Sequence, residues 1–270
     1  MTSTAVAGEA RPSRRAHITA ITSGKGGVGK TFAAANLAAA LARMGQRVLV
    51  LDADLGLANL DVVLNLFPKV TLHDVFTGER TLGEAILPAP GGFSVLLAGS
   101  GMVEYSRLTP HVREQLQAVI VDIGPKYDHV LLDTGAGISD VVLYTVSLAD
   151  DVLVVATPEP TSLTDAYATI KVLATTQGRR RVRLLVNQAA KSADGRTVRQ
   201  QLQAVVDRYV NPTLDGPLRI DLLGAVPSDP AVREAVQKRQ LLMVGAPGAP
   251  AALGIVEAAT RLVDEEQRTS

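Results

Sequence analysis

From His17 onward, short β-branched or wholly apolar runs alternate with longer stretches of helical periodicity. The strand-like runs are 17–23, 47–52, 93–98, 129–133, 151–156, 183–187 and 222–226. Between and after them the apolar spacing predicts helices over 30–44, 110–123, 138–148, 162–175, 195–209, 230–239 and 249–266. Several of the strands are continuous apolar runs, such as Val48-Leu49-Val50-Leu51, Val130-Leu131-Leu132 and Val152-Leu153-Val154-Val155. Such strands bury both faces, so the expected fold is α/β, a mostly parallel sheet flanked by helices on both faces. Residues 17–270 read as a single domain and 1–16 as a flexible tail with no apolar central stretch, unlike a secretory signal. In such a sheet, ligands sit beyond the carboxyl ends of the strands, so the residues that follow each strand are the candidates for chemistry.

Composition narrows the possibilities. Hydrophobic residues make up 47% of the 270 positions and aromatic ones only 3%, so the core must be aliphatic and alanine-rich. Lysine plus arginine and aspartate plus glutamate both number 27, which leaves no global field to draw the chain onto nucleic acid. There is no cysteine, which fits a reducing compartment and excludes any thiolate-ligand role such as carrying an iron–sulfur cluster. The four histidines, His17, His73, His111 and His129, are scattered and do not suggest a metal site. No apolar run approaches the ~18 residues of a membrane span.

After the first strand comes Gly24-Lys25-Gly26-Gly27-Val28-Gly29-Lys30-Thr31, which fits G-x-x-x-x-G-K-[ST] between a strand and a helix. The glycines let successive backbone N–H groups turn toward one phosphate, and the helix start adds its own N–H groups and dipole. Lys30 supplies a point charge for the β- and γ-phosphates, and the Thr31 hydroxyl is a Mg²⁺ ligand. Phe32, next along, is counted with this loop among the ATP-binding positions. The fold expected is therefore a P-loop NTPase, with ATP and Mg²⁺ as cofactors.

Lys25 is more than an ordinary P-loop requires. The run from Lys25 to Thr31 resembles the deviant Walker A motif of the MinD/ParA family. The resemblance implies that Lys25 reaches across an ATP-bound homodimer to the partner's nucleotide and joins Lys30 and Asp54 as a catalytic residue. The alternative is a solvated neighbour of the loop. Asp52 and Asp54 end the second strand, where buried carboxylates need a cation or hydrogen bonds. The run from Asp52 to Asp61 resembles the family's switch I, which implies that Asp54 orients the attacking water and Asp52 helps to hold the metal's water shell; helix capping is the plainer reading. Leu131-Leu132-Asp133 is a hydrophobic strand that ends in the acid a Walker B motif needs beside Mg²⁺. Asn187 and Pro227 follow later strands, and the resemblance places them beside the adenine, although Asn at a strand end is also an ordinary turn residue.

The likeness spans about 17–263 and is nearest to the family's flagellar branch, the FlhG/FleN number regulators. Asp133-Thr134-Gly135-Ala136-Gly137-Ile138-Ser139, Thr71-Leu72-His73-Asp74-Val75 and Leu97-Ala98-Gly99-Ser100-Gly101 point that way. It implies a slow ATPase that dimerises on ATP and regulates flagellar number, placement and gene expression. The implied partners are a transcription activator, a signal-recognition-type GTPase or flagellar switch components. It also implies a cytoplasmic protein, polar or at most peripheral on membrane. The alternatives are a ParA-like DNA-partition ATPase and a MinD-like division-site ATPase. Two features depart from the family. Residues 1–16 lack the Asp-Gln-Ala motif that stimulates the partner GTPase, and the last helix ends Asp264-Glu265-Glu266 where a membrane-seeking helix would be basic. Its stripe of Leu253, Val256, Thr260 and Val263 is expected to pack on the domain. Arg179-Arg180-Arg181-Val182-Arg183 is read as a helix end entering a strand and not as a DNA surface, with no aromatic residue interleaved to stack on bases.

Overall fold

The computed structural model describes residues 15–55, 59–99, 105 and 107–269. Residues 1–14 of the expected tail, Gly56-Leu57-Ala58 of the switch-like run and Ser100-Gly101 lie outside them.

The strands are β1 (His17–Ser23), β2 (Val48–Ala53), β3 (Ile86–Pro88), β4 (Ser94–Leu96), β5 (His129–Ala136), β6 (Asp151–Ala156), β7 (Arg181–Ala189) and β8 (Arg219–Pro227). They form one sheet in the order β3-β4-β2-β5-β1-β6-β7-β8. Every neighbouring pair is parallel except β3 with β4, which is antiparallel. The helices are α1 (Lys30–Arg43), α2 (Leu60–Leu64), α3 (Leu72–Phe76), α4 (Leu82–Ala85), α5 (Pro110–Ile123), α6 (Asp140–Ser147), α7 (Pro160–Gln177), α8 (Ser192–Tyr209), α9 (Pro230–Gln237), α10 (Leu242–Gly245) and α11 (Pro250–Thr269).

One aliphatic core lies on each face of the sheet. On one side Ala33–Ala35 and Leu37–Leu41 of α1 pack with Ile255, Ala258 and Leu262 of α11 against Val50, Leu131 and Leu153. On the other, α5 to α8 cover Ile18, Leu51, Leu132 and Val154. The alanines of α1 let it lie close to the strands, which fits its place directly behind the phosphate loop. Side chains guard the outer edge of β8: Arg199 donates to Ile220 O, Gln203 bonds both Leu218 O and Ile220 N, and Arg261 donates to Leu223 O. Unpaired strand edges invite association, and these bonds close this one.

One expectation changes at the carboxyl end. The buried face of α11 is Ala251, Ala252, Ile255, Ala258, Ala259 and Leu262; Leu253 is exposed, Thr260 is exposed, and Val256 and Val263 are half-buried. This face lies close to β8: a Cβ on Gly254 would stand 2.8 Å from Ala225 O and one on Gly224 3.0 Å from Ala258 Cβ, so small residues fill the points of closest approach between Ile255 and Leu262. The arginine run is built into the frame. Arg179 donates to the carbonyls of Val146, Ala149 and Asp150 at the end of α6, and Arg180 to Ala174 O of α7. Arg181 bonds Asp221 and Glu265 at 2.6 Å each, and buried Arg183 lies 2.6 Å from Asp151 and 3.1 Å from Glu265.

Candidate functional site

The register sets the site. Asp52 and Asp133 are Cα partners across β2 and β5, and Ile21 of β1 pairs with Asp133 on the other side. The two acids therefore stand abreast at the carboxyl ends of adjacent strands, beside the point where β1 gives way to the loop. That loop turns through Gly27 and Gly29, at φ 81° and 88°, in the left-handed region that a side chain would strain. A Cβ on Gly26 or Gly27 would meet nothing within 4 Å among the described residues. Gly24 has a different reason to be glycine: a Cβ there would stand 2.1 Å from Asp165 O of α7. Among the described residues no side chain caps the start of α1, whose first N–H groups are of the kind that bind an anion.

Lys30 reaches back from α1 to place Nζ 2.9 Å from Asp133 Oδ1, with both side chains buried. Burial pushes the Asp133 carboxyl above its ordinary range, against the lowering effects of the Lys30 charge and of hydrogen bonds from Lys30 and Thr31. Asp52 is pushed up further, first by burial and then by the charge of Asp133. Its Oδ1 accepts from Asp54 N at 3.2 Å, while Oδ2 is buried with no hydrogen-bond partner among the described residues. One lysine thus faces more carboxylate than it can neutralise, which suits a site completed by a divalent cation. Among the described residues no group of three or more His, Cys, Asp or Glu could hold a metal alone. Mg²⁺ takes one or two protein oxygens and finishes its shell with phosphate and water. Thr31, Asp133 and Asp52 are the residues that fit it.

Above these groups opens a cavity of about 540 Å³ lined by Gly26, Gly27, Gly29, Lys30, Thr31 and Phe32 on the loop side. Asp54, Asn59 and Ser139 face it from across the cleft. A Cβ on Gly135 would press on Val142 Cγ2 at 3.2 Å and reach ordinary contact with Asp54 Oδ1 at 3.5 Å, which places Gly135 beside Asp54 at the cavity wall. Sequence alone does not single out Asn59 or Ser139. Ser139 caps α6 by accepting from Val142 N, a Ser-to-helix signal found at many helix starts.

Seven predicted site residues are not part of the lining: Gly24, Asp52 and Asp133, described above, and Lys25, Val28, Asn187 and Pro227. Val28 is buried in the loop. Lys25 lies along the loop's outer side, its Nζ 3.1 Å from Thr161 Oγ1 and 3.4 Å from Glu159 Oε2 at the start of α7. Asn187 is nearly buried beneath the loop, and its side-chain amide donates to Val28 O at 2.8 Å. Pro227 ends β8 beside Gly254 of α11.

A family model described as the CobQ/CobB/MinD/ParA nucleotide binding domain matches residues 19–242. The antiactivator FleN of Pseudomonas aeruginosa is 42% identical over 91% of this chain and 85% of its own. The flagellum site-determining protein YlxH of Helicobacter pylori is 33% identical over 84% of this chain and 75% of its own. Among solved structures, the septum site-determining protein MinD of Pyrococcus horikoshii complexed with Mg-ADP superimposes with a TM-score of 0.75 at 28% identity. That match covers 94% of this chain and 99% of the other.

Proposed function

Because the chain belongs to the CobQ/CobB/MinD/ParA nucleotide-binding family, we propose that it is a magnesium-dependent ATPase acting as a dimerisation switch in the control of flagellar number, placement and gene expression. The observation that carries this reading is the 42% identity to an antiactivator over 91% of the chain, joined by a likeness to a flagellum site-determining protein. The acid-rich floor beneath an open phosphate loop supports its chemical half.

In this reading the loop N–H groups and Lys30 bind the β- and γ-phosphates, and Thr31, Asp133 and Asp52 hold Mg²⁺. When bound, Mg²⁺ neutralises charge on the phosphate oxygens. Asp54, at the cavity wall, orients the water that attacks the γ-phosphate. Lys25 reaches the nucleotide of a second subunit and so makes dimerisation depend on ATP. To do so it must leave Glu159 and Thr161, and because both ends of that ion pair are largely exposed, release costs only about 0–1 kcal/mol. Hydrolysis is slow without a partner, since a switch must dwell in its ATP state. A flagellar transcription activator, a signal-recognition-type GTPase or switch components are the partners of this scheme.

The DNA-partition alternative has less support, because the arginines it would need are engaged by carbonyls and carboxylates. Flagella counted in cells that lack the protein test the proposal. Their number should change, return with the parent gene, and fail to return with Asp54→Ala or Lys25→Ala. An unchanged number in the deletion strain would exclude the flagellar role.

A further inference from the structure

Asn187 presents a geometry that a contact to the base does not explain. It sits near the end of β7, where the pairing with β8 slips: Val186 pairs with Ala225 and Ala189 with Pro227. Three steps along β7 therefore match two along β8, so β7 carries one extra residue. Gln188 absorbs it at φ 55°, a left-handed conformation that a non-glycine residue rarely adopts. Such bulges re-aim side chains next to functional sites. Here the neighbouring Asn187 side chain lies under the phosphate loop, only 6% exposed.

Two contacts fix its place there. The side-chain nitrogen donates to Val28 O at 2.8 Å in a buried bond, and a carbonyl acceptor requires the nitrogen and not the oxygen of the amide to face it. A Cβ on Gly29 would stand 2.3 Å from the same nitrogen, so the amide occupies the space that any side chain at 29 would need. In a planar trans peptide the C=O and the following N–H point in opposite directions. Holding the Val28 carbonyl down toward β7 therefore turns the Gly29 N–H away from β7, and Gly29 is one of the residues that line the cavity.

We propose that Asn187 is a positioning residue for the phosphate loop: it clamps the Val28 carbonyl so that the Gly29 N–H points at the phosphates, independently of which base the nucleotide carries. The proposal rests on the nucleotide-binding reading for its effect on ligands, but the clamp itself belongs to the ligand-free protein. Removing it leaves a buried carbonyl without its donor and lets the 28–29 peptide turn.

The test compares the parent with Asn187→Ala and Asn187→Asp. Loss of one buried hydrogen bond should weaken ATP, ITP and inorganic tripolyphosphate together, by about 3- to 10-fold each for Asn187→Ala. Asn187→Asp, which sets an acceptor against the Val28 carbonyl and a negative charge near the phosphates, should weaken all three further. In the ligand-free protein, backbone amide order parameters at Gly29 and Lys30 should fall in Asn187→Ala while those of β1 and β5 stay as before. The proposal is overturned if ATP alone weakens while ITP and tripolyphosphate keep their parent affinity, which would mark a base contact. It is equally overturned if the order parameters of the loop do not change. Should Asn187→Ala fail to fold, Asn187→Ser is measured in the same way. If the parent bound none of the three ligands, the nucleotide reading would fall, and the order parameters would still decide the clamp.

Discussion

The chemistry of this protein turns on where individual charges are held. Lys30 and Asp133 form a buried pair, Asp52 stands beside them with an oxygen that has no hydrogen-bond partner among the described residues, and Asp54 faces the cavity. If Asp54 orients the attacking water, Asp54→Ala should lower kcat for ATP by about 10²-fold or more. ATP affinity should remain within a few-fold of the parent. Steady-state hydrolysis beside equilibrium binding checks both halves, and a parent-like kcat would remove Asp54 from the mechanism. At this scale the site was readable wherever an acid or glycine follows an apolar strand, as at Asp52, Asp133 and Gly24 to Thr31. It was not readable where a role depends on a distant partner. Glu159 meets Lys25 from 134 positions away, and Asn187 acts on Val28 from 159 positions away. Nothing in the local sequence pairs them.

Elements long enough to show a period were legible, and short ones were not. The spacing predicts α1, α5 and α8 to within a few residues because each runs for three turns or more. Helices α2, α3, α4 and α10 have four or five residues, too few for an apolar stripe. Two of them did carry a readable signal: the capping boxes Thr71 with Asp74 and Thr81 with Glu84. Strand β3 is only Ile86-Leu87-Pro88, and a proline argues against a strand unless it lies at an edge, as this one does. The large apolar positions of α11 do not mark its buried face, because the close approach to β8 at Gly254 and Ala258 takes small side chains there.

The same helix is fastened at its far end by Glu265, which is shared between Arg181 and buried Arg183. Arg183→Ala should destabilise the fold by about 3 kcal/mol or more, since it opens a cavity and strips a partner from both Asp151 and Glu265. Glu265→Ala should cost only about 1 kcal/mol, because Glu265 is partly exposed and Arg183 keeps Asp151. Urea midpoints rank the two, and equal losses would show that the network does not act as drawn.

The whole molecule is a neutral chain with a buried sheet, and one consequence appears on acidification. His129 opens β5, is 2% exposed, and has its pKa lowered to about 4, chiefly by burial and then by the charge of His17. In the unfolded chain it titrates near 6.5. Between these values the unfolded state binds the proton and the folded state does not. The stability contributed by neutral His129 is therefore present above about pH 6.5 and is lost as pH falls toward about 4, by up to about 3 kcal/mol. Thermal unfolding followed from pH 7 to 4.5 should show the decline, and His129→Leu should flatten it. An unaltered slope in that variant would assign the decline to other groups.

A two-state switch requires that nucleotide decide between one subunit and two. Light scattering on the Asp54→Ala protein, held in its ATP state by slow hydrolysis, measures this directly. With Mg·ATP the mass should double relative to Mg·ADP, and adding Lys25→Ala should return it to that of a monomer. One unchanged mass in both nucleotides, or a dimer that survives the loss of Lys25, would contradict the account.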